Sequence, residues 1–486
     1  MIKNYFKTAL RYLFRNKGYT AINILGLAIG ITSCILIMLF VRSEFSYDKF
    51  HAKAGRTYRA WLHEKYEGQE FTNTQTPIPL GPTLKLNIPD VESFCRVNVF
   101  NTLVQNGSNR FNESINMVDS NFFQVFNFAL KEGNIKNTFP TSNSLVISKK
   151  LAKKYFGKEQ PIGKNLELQL GTEKVLFTVT AITEKVPLES SIQFDMLIPH
   201  SNEKYLFSER AITQGWTQVF EETYVQLKAG ISPTDTEKKF PALVKKIAGE
   251  DYKEGEYNLH LQPITDIHLN KKLPAGNQPV SDPAYSYILG TIGILILLIA
   301  CINFVTLSIG RSTTRAMEVG VRKVMGAERP QLIRQFWGEA LLLVLISVII
   351  ATGLSYILLK PFNAIVSKEL IFAFDGFTIT FFVLVILVVG LVAGVYPAIV
   401  LSAFAPIKVL KGKLQSGVSI GLFRKGLIAG QFVASILMII GTLVVGQQLN
   451  FLRNKNLGYD KEYIVVVPTI QVCCRYLVVQ LNQTYN

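Results

Sequence analysis

Five stretches of about 20 or more residues, 21–41, 287–310, 340–359, 378–402 and 427–446, contain no charged side chain. At ~1.5 Å of helical rise per residue, ~20 residues cross a ~30 Å hydrocarbon layer. One such helix fits inside a soluble core, but five in a single chain require a bilayer. The first run follows a basic N-terminal region, as a secretory signal would. Its 21 uncharged residues exceed the usual ~7–15 of a cleaved apolar segment. Phe40-Val41-Arg42-Ser43 also offers no small-x-small cleavage site. The expected product is an integral membrane α-helical protein with about five transmembrane helices, the first a retained anchor at 21–41.

The net charge of +16 is concentrated at the membrane. Residues 1–20 carry +5, 311–335 carry +4 and 403–426 carry +5, whereas residues 42–286 hold 29 bases against 28 acids. Basic short loops stay on the cytoplasmic side. The expected topology therefore has the N-terminus and the loops 311–335 and 403–426 inside, and 42–286 as a large extracytoplasmic domain between the first and second spans. The basicity is thus an orientation signal, and no nucleic-acid partner is expected. Five cysteines, Cys34, Cys95, Cys301, Cys473 and Cys474, are too few for a disulfide scaffold.

Lys3, Lys7, Arg11 and Arg15 recur every four residues. That stripe predicts a cytosolic amphipathic helix over 1–20, lying against membrane lipid headgroups. The extracytoplasmic domain reads as α+β. Residues 175–182 are a β-rich run, 145–148 a short strand, and Ser148 a cap for a helix over 149–156 that Gly157 stops. In 311–335, Val321, Val324 and Met325 fall at helical spacing, and Glu318 stands four residues before Arg322 as an ion-pair partner. Gly326 ends that helix and Pro330 starts the next. The predicted element is a short cytosolic helix with an apolar and a basic face, suited to docking.

Three spans carry glycines four apart, Gly26/Gly30, Gly390/Gly394 and Gly426/Gly430. This spacing lets helix backbones approach where lipid supplies no hydrophobic drive for association. Asn303 and Gln431 are expected to hydrogen-bond between helices. No catalytic, cofactor-binding or metal-binding constellation stands out. The stretch Gly157 to Asn165 has one residue too many between its glycines for a phosphate loop, and Asn where Ser or Thr is needed. The five histidines lack metal-ligand spacing, and His260 and His268 are expected at the surface or a sheet edge. No Asp, Glu, Lys or Arg inside a span forms a proton relay, and Glu339 sits only at the cytosolic mouth of the third, so an energy source is expected from outside the chain.

Specific segments resemble the permease subunits of ABC transporters of the macrolide-exporter (MacB) and FtsX-like type. They are 9–30, Tyr47-Asp48-Lys49-Phe50-His51, Gln193-Phe194-Asp195, Ala300-Cys301-Ile302-Asn303-Phe304, the loop 315–327, and Tyr396-Pro397-Ala398 at the end of the fourth span. The similarity runs from residue 1 to about 467. It implies a MacB-like core domain over 42–286, an FtsX-like permease domain over 287–402, a basic loop over 403–426 and a fifth span at 427–446. It also implies that a separate cytosolic ABC ATPase docks on the coupling loop through Glu318, Gly320, Arg322, Lys323, Gly326 and Ala327, and that ATP drives motion of the periplasmic domain. A second permease half or a homodimer, and a periplasmic adaptor, are the further partners implied, in a bacterial inner membrane. Leu422-Phe423-Arg424-Lys425-Gly426 echoes 13–18, as a second half would, and 447–486 reads as the start of a truncated second ectodomain with an atypical tail from Thr469. The rival readings are a membrane-anchored sensor with a partner-binding ectodomain and a non-functional truncated fragment.

Overall fold

The computed structural model describes residues 17–66, 68–248, 255–310, 312–402 and 418–455. The basic stripe of Lys3, Lys7, Arg11 and Arg15, most of the 403–426 loop, and the tail with Cys473 and Cys474 lie outside these residues. The chain divides into two compact units, one built from Ser43–Pro283 and one from the helices on either side of it.

The first unit is built on an eleven-stranded mixed sheet, in keeping with the α+β expectation. Its strands are β1 (Thr57–Tyr66), β2 (Gln69–Asn73), β3 (Val91–Asn106), β4 (Asn109–Val118), β5 (Leu130–Glu132), β6 (Ser144–Ser148), β7 (Asn165–Leu170), β8 (Glu173–Thr183), β9 (Met196–Pro199), β10 (Glu222–Leu227) and β11 (Tyr257–Pro263). The main path runs β11-β1-β10-β3-β4-β9-β6-β8-β5, with β2 on β1 and β7 bridging β3 and β8. Most neighbours are antiparallel, while β4 with β9 and β6 with β8 are parallel.

Helices of this unit cover the sheet at its two ends. Numbered in chain order, with α1 (Lys17–Phe45) reserved for the first membrane helix, they are α2 (Leu80–Asn87), α3 (Phe122–Val125), α4 (Lys149–Phe156), α5 (Glu209–Gln214), α6 (Pro233–Glu237) and α7 (Phe240–Ala248). Ser148 caps α4 by accepting from the Leu151 amide, and Gly157 ends it at φ 62°, both as the sequence predicts. Leu151, Tyr155 and Phe156 of α4 pack on Val104, Ile147 and Phe177. At the other end, Leu84 of α2 and Phe240 and Leu243 of α7 pack on Ala60, Leu62 and Val225. An aromatic core joins Phe122, Phe126, Phe128, Phe194 and Tyr224. The alternation of β7, outward at Asn165 and inward at Leu166, Leu168 and Leu170, fixes its register.

The second unit is helical: α1, α8 (Pro283–Gly310), α9 (Ser312–Val324), α10 (Arg329–Val366), α11 (Gly376–Ser402) and α12 (Val418–Asn454). Helices α1, α8, α10 and the segment Arg424–Asn454 of α12 are long and apolar enough to cross a membrane. The fourth predicted span falls on α11, whose described apolar part is Gly376–Val392. Leu27, Ile31 and Ile35 of α1, Cys301 and Phe304 of α8, Leu343 and Val344 of α10, and Val385 and Val389 of α11 share one apolar core.

One expected boundary shifts. Helix α12 begins at Val418, so Arg424 and Lys425 lie on its first turns instead of in a loop; no proline separates Val418 from Leu427, and Gly421 and Gly426 weaken the helix without ending it. Helix α11 runs through Pro397 to Ser402, the expected end of the fourth span. A proline removes one backbone hydrogen bond, which a membrane helix tolerates.

Candidate coupling site and its connections

The helix expected in the loop 311–335 is α9. Its end is a glycine-stopped turn, in which Gly326 adopts φ +93°. The Gly326 amide donates to the Lys323 carbonyl at 3.1 Å and the Ala327 amide to the Arg322 carbonyl at 2.9 Å. This paired pattern satisfies two orphan carbonyls and needs the left-handed residue that glycine supplies. The next helix starts at once. Glu328 and Gln331 form a reciprocal capping box, and Pro330 occupies the first turn of α10.

The two helices are joined by burial and by a polar chain. Val319 of α9 is buried against Leu332 and Phe336 of α10, with Ala327 and Ile333 beside them. Arg322 donates to the Gln335 side-chain oxygen Oε1. Gln335 in turn donates to Glu339 Oε1 at 3.1 Å. The expected Glu318–Arg322 pair falls outside the described side chains; the partner described for Arg322 is Gln335. Gly320 is buried, and Lys323 and Ala327 are half-buried. Met317, Val321, Val324 and Met325 remain 50–84% exposed. Of the apolar residues on α9 and just after it, Val319 packs on α10, and the Val321/Val324/Met325 face stays exposed. Met317, four residues before Val321, extends that face, a spacing visible in the sequence.

The glycine pairs sit in two different environments. A Cβ on Gly30 would lie 2.7 Å from Ala300 Cβ, and one on Gly26 3.6 Å from Asn303 Nδ2. On α11, a Cβ on Gly390 would meet Leu341 at 3.1 Å and one on Gly394 would meet Trp337 at 2.6 Å. Trp337 Nε1 also donates to the Gly390 carbonyl at 3.2 Å. A Cβ on Gly426 or Gly430 would meet nothing within 4 Å among the described residues, and no described side chain in the apolar segment of α12 is buried. The sequence reading did not include Gly293 of α8, against which Ile37 packs with a 3.3 Å approach to the position of a Cβ.

At the C-terminal end of α1, Arg42 pairs with Asp375, which caps α11 by accepting from the Thr378 amide at 3.0 Å. These bonds hold the Asp375 carboxyl well below its usual range. Two residues on, in the sheet-containing unit, Glu44 accepts from Ser281 Oγ at 2.8 Å and lies 3.3 Å from His268 Nε2. Tyr47 stacks on His268 with ring centroids 3.3 Å apart. The expectation that His268 lies at the surface is corrected: it is buried, held between a carboxylate and an aromatic face. Such a pairing of residues 224 apart leaves no local sequence signal. His260 does lie on the edge strand β11, stacked on Trp61. Among the described residues no group of His, Cys, Asp or Glu is arranged to hold a metal ion.

The Tyr47-to-His51 motif also acquires a structural role. Asp48, at φ 57°, accepts from the Ser191 amide at 2.9 Å and from Ser190 Oγ at 3.3 Å. His51 Nδ1 accepts from the Asn127 amide at 3.1 Å. Burial pushes Asp48 up to about 6 and His51 down to about 4.

These features define a membrane-embedded permease carrying a large periplasmic-type domain. Residues 20–243 match the MacB-like periplasmic core domain and residues 290–406 the FtsX-like permease C-terminal domain. The chain belongs to the MacB/FtsX-like family of ABC transporter permeases. It is 25% identical over 404 residues to the macrolide export ATP-binding/permease protein MacB of Haemophilus ducreyi, covering 81% of this chain and 54% of that protein. It is 22% identical over 301 residues to the ABC transporter permease YknZ of Bacillus subtilis, covering 61% and 70%. Against MacB of Escherichia coli it is 35% identical over 117 residues, covering 22% and 18%. The chain thus spans about half the length of the Haemophilus exporter that it matches.

Proposed function

We propose that this chain is the transmembrane subunit of an ABC-type exporter in a bacterial inner membrane. A separate cytosolic ATPase docks on α9, and ATP-driven closure of that ATPase moves the helices and, through them, the periplasmic domain. The N-terminus is cytoplasmic, residues 42–286 are periplasmic, and 21–41, 287–310, 340–359, 378–402 and 427–446 span the bilayer. Glu318, Gly320, Arg322, Lys323, Gly326 and Ala327 form the coupling element. A second permease half or a second copy, and a periplasmic adaptor, complete the assembly.

The single observation that carries this reading is the division of labour on α9. Val319 and the Arg322–Gln335–Glu339 chain fix the helix to α10, while four apolar side chains stay exposed. A helix held so firmly passes a push on its outer face directly to α10. The likeness to exporters whose names include an ATP-binding part supports an ATPase as the source of that push.

The test is co-purification of an ABC ATPase subunit with this chain from its native membrane. Arg322→Glu with Lys323→Glu should abolish it. Val324→Glu, on the exposed face and away from the Arg322–Gln335 bond, should weaken it at least about tenfold by burying an unpaired charge. Full retention in both variants would sink the docking assignment.

A further inference from the structure

The sheet-containing unit holds a cleft of about 720 Å³ that the coupling role does not use. One wall is the outer side of β4 at Glu113, Ser114 and Asn116, another is the start of α4, and the third is the segment 185–195. This volume falls in the range of clefts that take ligands of drug or short-peptide size.

The charge around the cleft is out of balance. Lys149, Lys150, Lys153 and Lys185 line it against two carboxylates, Glu113 and Asp195. Both acids are already engaged. Glu113 accepts from Lys154 Nζ at 2.6 Å and Tyr155 Oη at 2.8 Å, and Asp195 accepts from Lys150 Nζ at 2.8 Å. Lys149 and Lys153 stand at i, i+4 on one face of α4, a like-charge spacing that destabilises a helix. Lys149 also opens an eight-residue helix with no acid in its first turn, where the backbone dipole is itself positive. Three unfavourable electrostatic choices therefore converge on one cleft, and an anion placed there relieves all of them.

The remaining lining decides what bears that anion. Val186, Leu188 and Phe194 give a short apolar wall, with Leu188 left 37% exposed. Ser114, Gln193 and Gln278 supply hydroxyl and amide groups between this wall and the lysines. A free phosphate needs neither the volume nor the apolar wall, and an acyl chain needs a longer apolar surface without interleaved amides. A peptide segment with acidic side chains and an apolar residue matches all three linings.

We propose that this cleft binds an acidic peptide segment, its carboxylates on Lys149 and Lys153 and its apolar side chain against Val186 and Leu188. The site does not depend on the ATPase reading, and its failure would leave that reading intact. The test uses the full chain in zwitterionic nanodiscs and a fluorescein-labelled peptide of alternating Asp and Leu, followed by anisotropy. Binding should weaken as salt rises from about 50 mM to about 200 mM. Lys149→Gln with Lys153→Gln should weaken it roughly tenfold, as two lost charge contacts of about 1 kcal/mol or less would. Leu188→Ser should weaken it by a smaller factor, and Lys136→Gln with Lys238→Gln, exposed on the same unit, should leave it unchanged. Equal loss in the cleft and control pairs, no binding at millimolar peptide, or tighter binding of dodecyl phosphate at the same lysines would overturn the proposal.

Discussion

The helical unit and the sheet-containing unit both bury apolar side chains but differ in what else they bury and in what they turn outward. In the helices, Ile22, Ile29, Ile294, Ile349 and Leu384 face outward, while Gly30, Ala351 and Ser347 sit inside among the Leu, Ile and Phe side chains of the shared core. Ser347 Oγ reaches the Ile24 carbonyl and Thr32 Oγ1 the Ala351 carbonyl, both at 3.3 Å. In the sheet unit the aliphatic and aromatic side chains are inside, together with charges. Arg59 is 1% exposed, with Glu222 Oε1 at 3.0 Å and the Gln262 side-chain oxygen Oε1 at 2.7 Å. Tyr224 Oη and the Asn277 amide donate to the same carboxylate. Water drives the sheet unit to hide carbon and then to pair any charge hidden with it. Lipid gives no such drive between helices, so close backbone approach decides which helices pack.

The largest expected effect tests the buried charge. Arg59→Met leaves Glu222 without its counter-ion and should cost about 3–5 kcal/mol, whereas Arg59→Met with Glu222→Leu should recover most of it. Thermal unfolding followed by tryptophan fluorescence reads this difference. A single variant that costs less than about 1 kcal/mol would erase the contrast between the units. Gly276 belongs to the same site: its backbone runs so close over the pair that a Cβ would fall 1.8 Å from Glu222 Oε1.

A smaller effect tests the helices. Gly30→Leu drives a side chain into Ala300 and should cost about 1–3 kcal/mol by overpacking. The same change at Gly430, where nothing lies within 4 Å, should stay within about 0.5 kcal/mol for the isolated chain. Detergent-solubilised melting curves compare the two. Equal destabilisation would mean that Gly430 has a partner helix in the purified protein.

The smallest effect is a pH dependence peculiar to the sheet unit. His200 lies 2.6 Å from Glu221 and 3.0 Å from Glu203. Arg96, bound to Asp119 at 2.7 Å, completes the cluster. Burial alone would lower His200, but the bonds to Glu203 and Glu221 outweigh it and raise it to about 9. A raised folded-state value means stability fully present below the unfolded value of 6.5 and lost as pH climbs through about 9. His51, lowered to about 4 by burial, has the opposite sign: its contribution is present above 6.5 and is lost as pH falls toward 4. Melting temperature should therefore peak near pH 6.5, His200→Gln should flatten the alkaline limb, and His51→Gln the acid limb. Unchanged limbs in both variants would remove the histidines from the account.

Much of this was legible because it is local. The transfer of ~20 apolar residues into hydrocarbon, a serine cap before Lys149, and a glycine stop at Gly326 each depend on neighbours within a few positions. Helix α9 was legible on the same ground, down to its end and the start of its successor. Its orientation was not, because the choice between Val319 and the Val321/Val324/Met325 face as the buried one rests on where Leu332 and Phe336 stand.

The sequence by itself determined that this chain enters a bilayer several times, that its charge gathers at the short turns, and that a large mixed domain separates the first two apolar runs. Only the tertiary structure decided which glycines touch a neighbour, that His268 is enclosed by Glu44 and Tyr47, and that Arg59 finds Glu222 from 163 residues away. The reason is that a buried polar group is stable only beside its partner, and sheet register and helix packing bring that partner from a distance that no local pattern records.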